Sequence, residues 1–198
     1  MNDMTNFRGH IQDVVSSWER ERPDLDLSNF LLAICVMRLG RILDDSYDRM
    51  CRKRYGISGA DMRVLFALRR AGKPYARRPT DLFRALLVTS GAITKQVDRL
   101  SNLDFVERMD DPAYTGGVLI ALTGKGLRAA NSAAEWLTEN SPISPGLAKM
   151  TAAERNAGRR FVQQALENLE QSAALEANSR RNEKRTKVTR RRTARSAA

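Results

Sequence analysis

A run of polar residues follows one side of the segment between residues 90 and 100. Ile93, Val97 and Leu100 recur at helical spacing and form a single apolar stripe, which is typical of a helix packed on a core. The opposite face then carries Ser90, Ala92, Thr94, Lys95, Gln96 and Arg99, and all of these but Ala92 have side chains that can hydrogen-bond to nucleic acid.

These side chains have the chemistry of a helix that enters the major groove of DNA. There Lys can bond guanine O6 and N7, Gln can pair with adenine, and Thr offers a methyl and a hydroxyl group. We therefore predict base contacts by Thr94, Lys95 and Gln96. Phosphate contacts are expected from Ser90, at the helix N-terminus, and from Arg99. The alternative is an ordinary solvated helix face.

A second basic cluster precedes this segment: Arg69, Arg70, Lys73, Arg77 and Arg78. Contacts with DNA phosphates set the register and affinity of a bound protein, so these side chains could flank the base-reading helix. We include Arg77 and Arg78 among the candidate DNA contacts. The alternative is a charged loop that keeps the protein soluble.

Arg63 is a candidate for binding an organic anion, because a guanidinium captures a carboxylate through two parallel hydrogen bonds. Apolar walls and hydrogen-bonding groups at the start of the preceding helix would complete a pocket. We predict a site for an aromatic carboxylate lined by Ser28, Asn29, Met62, Arg63 and Phe66. The alternative is an ion pair between Arg63 and an acid such as Asp61 or Asp26.

Other chemistries have little support in the sequence. Cys35 and Cys51 lie sixteen residues apart, too far along one helix to bridge each other, and we expect both to be packed in the interior rather than to sense redox state. His10 is the single histidine, so no metal site is expected. The segment "TGKG" lacks phosphate-loop spacing and no nucleophile elbow occurs, so we expect neither an enzyme nor a cofactor.

The elements that must position these residues follow from apolar periodicity. Helices are predicted over residues 28–55, 59–71 and 81–87, then from residue 90, from 123 to 139 and from 151 to 174. The predicted helix starts are Ser28, Thr80, Ser90 and Thr123, and Gly56 is a predicted stop. The helices at 81–87 and from 90 have a linker short enough for a helix-turn-helix.

The stretch "ERMDDPAYTGGVLIALTGKG" predicts a β-hairpin directly after that motif. Two β-forming stretches, Phe105–Val106 and Val118–Leu122, flank a turn rich in Asp, Pro and Gly. The predicted fold is mainly α with a small β-wing, a winged helix-turn-helix flanked by helices from both ends of the chain. The turn carries two carboxylates and no cation, although the chain as a whole is basic.

The positive charge is concentrated at the C-terminus. The formal net charge is +11, and residues 180–195 contribute nine Lys or Arg against one Glu. This segment has no apolar periodicity, so we expect residues 179–198 to be a disordered basic tail. The N-terminus lacks a signal-peptide pattern, and the longest apolar run has eight residues, too few to span a bilayer. We therefore expect a soluble, cytoplasmic protein without a membrane partner.

Taken together, these residues resemble the MarR family of bacterial transcription regulators. The similarity covers roughly residues 24–170 and is densest in "TDLFRALLVTSGAITKQVDRLSNLDFVER", followed by "DP" and "LTGKG". These segments are similar to the family's short helix, Ser-started recognition helix ending in D-R-L, D-P wing and L-T-x-x-G helix start. "WERERPDLDLSNF" resembles the lead-in of some members.

The resemblance implies a homodimer whose N- and C-terminal helices form the interface. It divides the chain into a dimerisation segment (1–55), a winged helix-turn-helix (56–123), C-terminal dimerisation helices (124–178) and the tail (179–198). It also implies a repressor that binds a palindromic operator and is released by a small aromatic acid or phenol. The alternative is a sequence-independent, architectural DNA-binding protein that uses its basic tail.

The sequence departs from the family pattern in two places. Asp104 stands where the family has glycine before the wing strand, and Asp tolerates the left-handed conformation better than most residues. The wing tip lacks the family's arginine that enters the minor groove. We expect Arg108, at the base of the strand, or the basic tail to substitute for it in part.

Overall fold

The computed structural model describes residues 7–173, most of which are helical. Packing divides the chain into one unit that ends at Ile143 and another that begins at Ser144. The described part of the first unit contains α1 (Phe7–Glu21), α2 (Ser28–Tyr55), α3 (Gly59–Arg69), β1 (Ala76–Arg77), α4 (Pro79–Leu86), α5 (Ser90–Asn102), β2 (Val106–Asp110), β3 (Val118–Leu122) and α6 (Gly124–Glu139). The second contains α7 (Ser144–Leu147) and α8, helical over residues 152–173.

This element order confirms the predicted fold class, a mainly helical chain with a small β-wing. The predicted basic tail, and the end of the last predicted helix at Ala174, lie outside the described residues. No helix among residues 7–173 is long and apolar enough to cross a bilayer.

Two of the predicted helix boundaries are confirmed. Gly56 ends α2 with φ of 70°, in the left-handed region where glycine has no steric penalty, and its N–H donates to the carbonyl of Arg52. Thr123 begins α6, since its hydroxyl accepts the N–H of Gly126 at 3.0 Å. The α6 helix therefore starts directly after the last wing strand.

Two other starts differ from the prediction by one residue. The N-cap of α5 is Thr89, not Ser90, because the Thr89 hydroxyl accepts the N–H of Ala92 at 3.2 Å. The first helical residue of α2 is Ser28, but its cap is Leu27, which makes no side-chain bond. Thr89 and Ser90 are hard to rank as caps from sequence, since both have a hydroxyl that can accept the same N–H. At α2 the N–H of Ser28 instead donates to the Asp26 carboxylate at 3.0 Å.

The start of α4 was predicted too late. Its N-cap is Arg78 and its first residue is Pro79, so Thr80 lies inside the helix. Proline suits this first position, because its fixed φ is already helical and its missing N–H would have no partner there.

The wing is a three-stranded antiparallel sheet in the order β1-β3-β2. β2 pairs with β3 from Val106 opposite Leu122 to Asp110 opposite Val118, which confirms the predicted hairpin. β1 was not predicted, because its two residues carry no periodic signal. Asp104 has φ of 60°, so the left-handed turn expected at this departure from the family pattern is present.

The core of the first unit is built around α3. Its apolar residues Met62, Val64, Leu65 and Leu68 are completely buried. The predicted stripe on α5 packs there as well, because Ile93, Val97 and Leu100 are at most 2% exposed. The helix that carries the candidate DNA contacts is thus anchored along one whole side.

The first half of α2 contrasts with this core, because large apolar side chains face outward. We call Leu32, Val36, Leu39 and Ile42 the α2 apolar face, since they share one side of the helix and each is at least 43% exposed. Cys35 on the same half is also exposed, so the prediction that both cysteines are buried is wrong for Cys35 and right for Cys51. In the second unit, α8 exposes a comparable set, Phe161, Val162, Leu166 and Leu169.

Candidate nucleic-acid interface and ligand cavity

The outer face of α5 presents three of the predicted DNA contacts. Ser90, Thr94 and Lys95 are exposed, on the side of the helix opposite its buried stripe. The Thr94 hydroxyl donates to the Ser90 carbonyl at 3.1 Å, which leaves the Thr94 methyl group facing outward. Lys95 forms no ion pair with any residue from 7 to 173, so its ammonium is available to a ligand.

Gln96 does not lie on this exposed face, so the described structure does not present its side chain for the base contact predicted from the sequence. The side chain is only 9% exposed, and its oxygen Oε1 is buried without a hydrogen-bond partner in the described structure. The reason is helical spacing, because Gln96 follows Ile93 by three residues and precedes Leu100 by four. The same rule that identified the apolar stripe places Gln96 within it.

Arg99 is engaged in an internal ion pair. Its Nε and Nη2 donate to the two carboxylate oxygens of Asp61 at 2.9 and 2.5 Å, and the Asp61 side chain is 1% exposed. This bidentate bond raises the pKa of Arg99. The pair ties α5 to the start of α3, so Arg99 positions this helix whether or not it also makes the predicted phosphate contact.

Asp61 has a structural role that was not predicted from the sequence, because it both pairs with Arg99 and caps α3. Its carboxylate also accepts the backbone N–H and the hydroxyl of Ser58, while its own N–H donates to that hydroxyl. This reciprocal arrangement is a capping box. The spacing S-x-x-D was the available signal for it.

Two further ion pairs fix the wing. Arg108 on β2 donates to Asp98 on α5 at 2.6 Å, and both side chains are about half exposed. Arg78 donates to Asp111 at the wing tip at 2.5 Å. The Arg78 guanidinium, followed by the N–H of Ala113, lowers the pKa of the Asp111 carboxyl. The wing is thereby braced against both helices of the helix-turn-helix.

These ion pairs reduce the number of predicted DNA-contacting cations that are unpaired in the described structure. Among the predicted DNA contacts, Arg78, Arg99 and Arg108 each neutralise an aspartate. Arg77 is exposed on β1 and forms no ion pair within residues 7–173. Lys95 and Arg77 are therefore the predicted cationic contacts that the described structure leaves unpaired.

A cavity of about 840 Å³ lies between α2, α3 and the residues that follow α6. It is lined by Met37, Gly40, Arg41, Leu43, Asp44, Tyr47, Arg63, Phe66, Ser141, Pro142 and Ile143. Of the predicted ligand residues, Arg63 and Phe66 line it. Within the described residues, no group of three or more His, Cys, Asp or Glu side chains could hold a metal ion.

Three predicted ligand residues lie elsewhere. Met62 is completely buried in the core and points away from the cavity. Ser28 lines a separate cleft beside Arg22 and Asp26, and Asn29 is not part of the cavity lining. The predicted pocket was misplaced because the start of α2 is more than two helical turns from the segment that faces Arg63.

Arg63 sits at one wall of the cavity between an acid and an aromatic ring. Its guanidinium forms an ion pair with Asp44, and its Cζ lies 5.3 Å from the centre of the Tyr47 ring. The partner acid is thus Asp44 of α2, not Asp61 or Asp26. Burial raises the pKa of the Tyr47 hydroxyl above its ordinary value.

This architecture is shared with known proteins. The sequence profile of the MarR family matches residues 55–113. The HTH-type transcriptional regulator PecS of Dickeya dadantii (strain 3937) is 32% identical over 130 residues, which cover 66% of this chain and 78% of PecS.

Solved structures give the same result for the fold. A MarR mutant from E. coli, complexed with operator DNA, is 26% identical, with a TM-score of 0.56 over 72% of this chain and 99% of that one. Sco3205, a MarR family regulator from Streptomyces coelicolor in complex with DNA, has a TM-score of 0.63 at 19% identity and covers 73% of this chain and 89% of its own.

The helix-turn-helix followed by the β2–β3 hairpin, with β1 completing the three-stranded sheet, defines a winged-helix protein of the class that regulates transcription. With the family profile and the PecS relationship, the chain belongs to the MarR family of transcription regulators. Members of this family are regulators, not enzymes.

Proposed function

We propose that this chain is a cytoplasmic repressor that binds a palindromic operator as a homodimer and is released by a small aromatic acid or phenol. The observation that carries the proposal is the outer face of α5. Ser90, Thr94 and Lys95 are exposed there, while the opposite side of the helix is fully packed in the core. The operator complex of the MarR mutant from E. coli, a structural neighbour, supports it.

Exposed apolar surface supports the dimer. The α2 apolar face and the exposed apolar residues of α8 are too large and too contiguous along each helix for ordinary solvent exposure. In a two-fold symmetric dimer, the same surface patch of each copy packs against the other copy, so both copies bury their exposed apolar residues. Two recognition helices related by a two-fold axis then require a palindromic operator.

The cavity supports a ligand with a carboxylate or phenol group on an aromatic ring. Phe66 and Tyr47 provide aromatic walls, and the guanidinium of Arg63 provides the bidentate donor. Because Asp44 already occupies that donor, an incoming carboxylate must compete with Asp44 for it. The site is therefore tuned to weak, reversible binding, which suits an inducer.

DNA binding is tested by selecting a duplex from random-sequence DNA with the full chain and measuring its affinity. Lys95→Ala is expected to weaken binding by about tenfold or more, since a specific base contact contributes about 1–3 kcal/mol. Lys53→Ala, which removes an exposed lysine from α2, is the matched control and should change little. Equal affinity for the selected and scrambled duplexes would instead favour an architectural DNA-binding protein.

The ligand is tested by calorimetry with benzoate-type acids and two opposed substitutions. Arg63→Ala should abolish binding, because the guanidinium is lost. Asp44→Asn should strengthen binding, because the competing carboxylate is removed while the cavity shape is kept. If neither substitution changes the affinity, the acid does not bind at this cavity. A promoter–reporter assay then shows whether the bound acid raises transcription, as a released repressor requires.

A further inference from the structure

The wing tip is a tight, internally bonded turn. The N–H of Asp111 donates to Gly117 at 2.9 Å, Tyr114 to the Asp111 carbonyl at 3.1 Å, and Gly117 to the Tyr114 carbonyl at 2.8 Å. Gly116 adopts φ of 76°, a conformation that favours glycine. A turn with these bonds holds its side chains in a fixed direction.

The charge within this turn is neutralised. The Asp111 side chain is 4% exposed, pairs with Arg78 at 2.5 Å and accepts the N–H of Ala113 at 2.9 Å. The other carboxylate, Asp110, is exposed at the end of β2, four residues before Tyr114. The apex of the turn, residues 112–117, therefore carries no charge to attract or repel a phosphate.

Tyr114 is the large side chain that this apex exposes. It is 68% exposed, although aromatic rings are normally buried at least in part. Its ring lies over Gly117, where an added Cβ would stand 3.0 Å from Tyr114 Cδ1 and 2.9 Å from the Tyr114 carbonyl oxygen. Glycine at 117 thus leaves room for the ring at the tip, where Tyr114 stays largely exposed.

The wing is also placed to reach DNA beside α5. The pair of Arg108 and Asp98 joins β2 directly to the recognition helix. Five residues per strand give the hairpin a length of about 17 Å, while a major groove is about 12 Å wide. A hairpin of this length, fixed at the flank of a helix in the major groove, is long enough to cross the phosphate backbone to the adjacent minor groove.

We propose that Tyr114 is a DNA contact of the wing, a neutral aromatic donor that enters the minor groove flanking the recognition helix. The minor-groove edge offers the acceptors A N3 and T O2, to which a phenol hydroxyl can donate, and the ring adds apolar contact with the sugars. This inference rests on the proposed function, because it requires that α5 occupies the major groove. It assigns the wing contact to a residue without charge.

The experiment uses the full chain and a palindromic duplex recovered by selection with it. Tyr114→Ala should lower affinity about tenfold without changing the slope of log affinity against log salt, because no counterion is released by a neutral contact. Tyr114→Arg should restore affinity and steepen that slope by about 0.9 per subunit. Thr115→Ala, at the next residue of the same exposed turn, is the matched control and should match the wild type.

Hydroxyl-radical footprinting distinguishes loss of the wing contact from loss of folding, because an unfolded variant would lose all protection of the DNA. Tyr114→Ala should lose protection in the minor grooves that flank the palindrome while protection around the α5 contacts remains. Tyr114→Phe keeps the ring and packing over Gly117, so it isolates the hydroxyl and should lose part of the affinity. If Tyr114→Ala binds and protects DNA as the wild type does, the proposal is overturned while the proposed function stands. If the wild-type chain selects no duplex, both the Tyr114 proposal and the proposed function are overturned.

Discussion

The two halves of α2 show how differently one helix can be used. The second half, residues 43–55, packs Met50 and Cys51 into the core of the winged helix. The first half, residues 28–42, turns its large apolar side chains outward. The second half packs into the core of its own unit, whereas in the first half Phe30 contacts Trp18 of α1 but Leu32, Val36 and Leu39 stay largely exposed. The comparison teaches that apolar periodicity identifies a buried face without telling which chain buries it.

The largest effect is expected from a charge placed in the first half. Leu39→Asp would bury two carboxylates in a two-fold interface, at a cost of several kcal/mol, so we expect the dimer to dissociate. Operator affinity should then fall by about 100-fold or more, since each half-site is bound separately. Sedimentation equilibrium checks the mass. Leu87→Asp, at a residue that is 81% exposed in the helix-turn-helix, is the control and should leave the mass unchanged.

A smaller effect is expected where the chain supplies its own partner. Arg99→Ala leaves the Asp61 carboxylate, 1% exposed, without its cation. Because Arg99 itself is half exposed, we expect a loss of about 2 kcal/mol in the free energy of unfolding, below the range for a fully buried pair. Urea denaturation measures it, with Arg49→Ala as a control for an exposed arginine. A loss no larger than in the control would show that the pair does not hold α5 to α3.

The wing tip should respond to acid in a defined direction. Arg78 lowers the pKa of Asp111 in the folded chain, so the pair stabilises the fold fully above the ordinary carboxyl pKa of about 3.9. That stability is lost as pH falls through the lower, folded pKa. The difference in unfolding free energy between wild type and Asp111→Asn should be constant above about pH 5 and shrink below about pH 4. A difference that grows in acid would contradict the assignment.

The smallest expected effect is a difference in the rate of thiol labelling, measured at one cysteine in each half of α2. Burial raises the pKa of Cys51 to about 11, so few of its thiols are ionised at pH 8 and we expect almost no reaction in the folded protein. Cys35 should react readily in the Leu39→Asp monomer and slowly in the wild-type dimer. Equal rates for Cys35 in the two proteins would argue that the second copy does not cover this part of α2.

Sequence patterns predicted the elements better than the site, for physical reasons visible in single residues. The stripe of Ile93, Val97 and Leu100 was found because helical spacing is a local property. The left-handed turn at Asp104 was expected because the resembling family has glycine there and Asp tolerates this conformation better than most residues. Both features depend only on neighbours within one or two turns of chain.

The residues that sequence analysis misplaced depend on distant partners. The partner of Arg63 was predicted among nearby or preceding acids, but the fold brings Asp44 to it across 19 positions. The pairing of Arg78 with Asp111 across 33 positions was likewise invisible, although it explains how a carboxylate is tolerated in the wing tip. Gln96 was predicted on the DNA-facing side of α5 because its side chain is polar. Its spacing from Ile93 and Leu100 instead places it on the buried side of the helix.

Sedimentation equilibrium of the full chain, alone and with the selected palindromic duplex, tests most directly whether two copies bind the operator together. We expect a mass of twice 22.2 kDa for the free protein and two chains for each duplex. A free protein of 22.2 kDa at micromolar concentration that binds the duplex tightly as a single chain would contradict it.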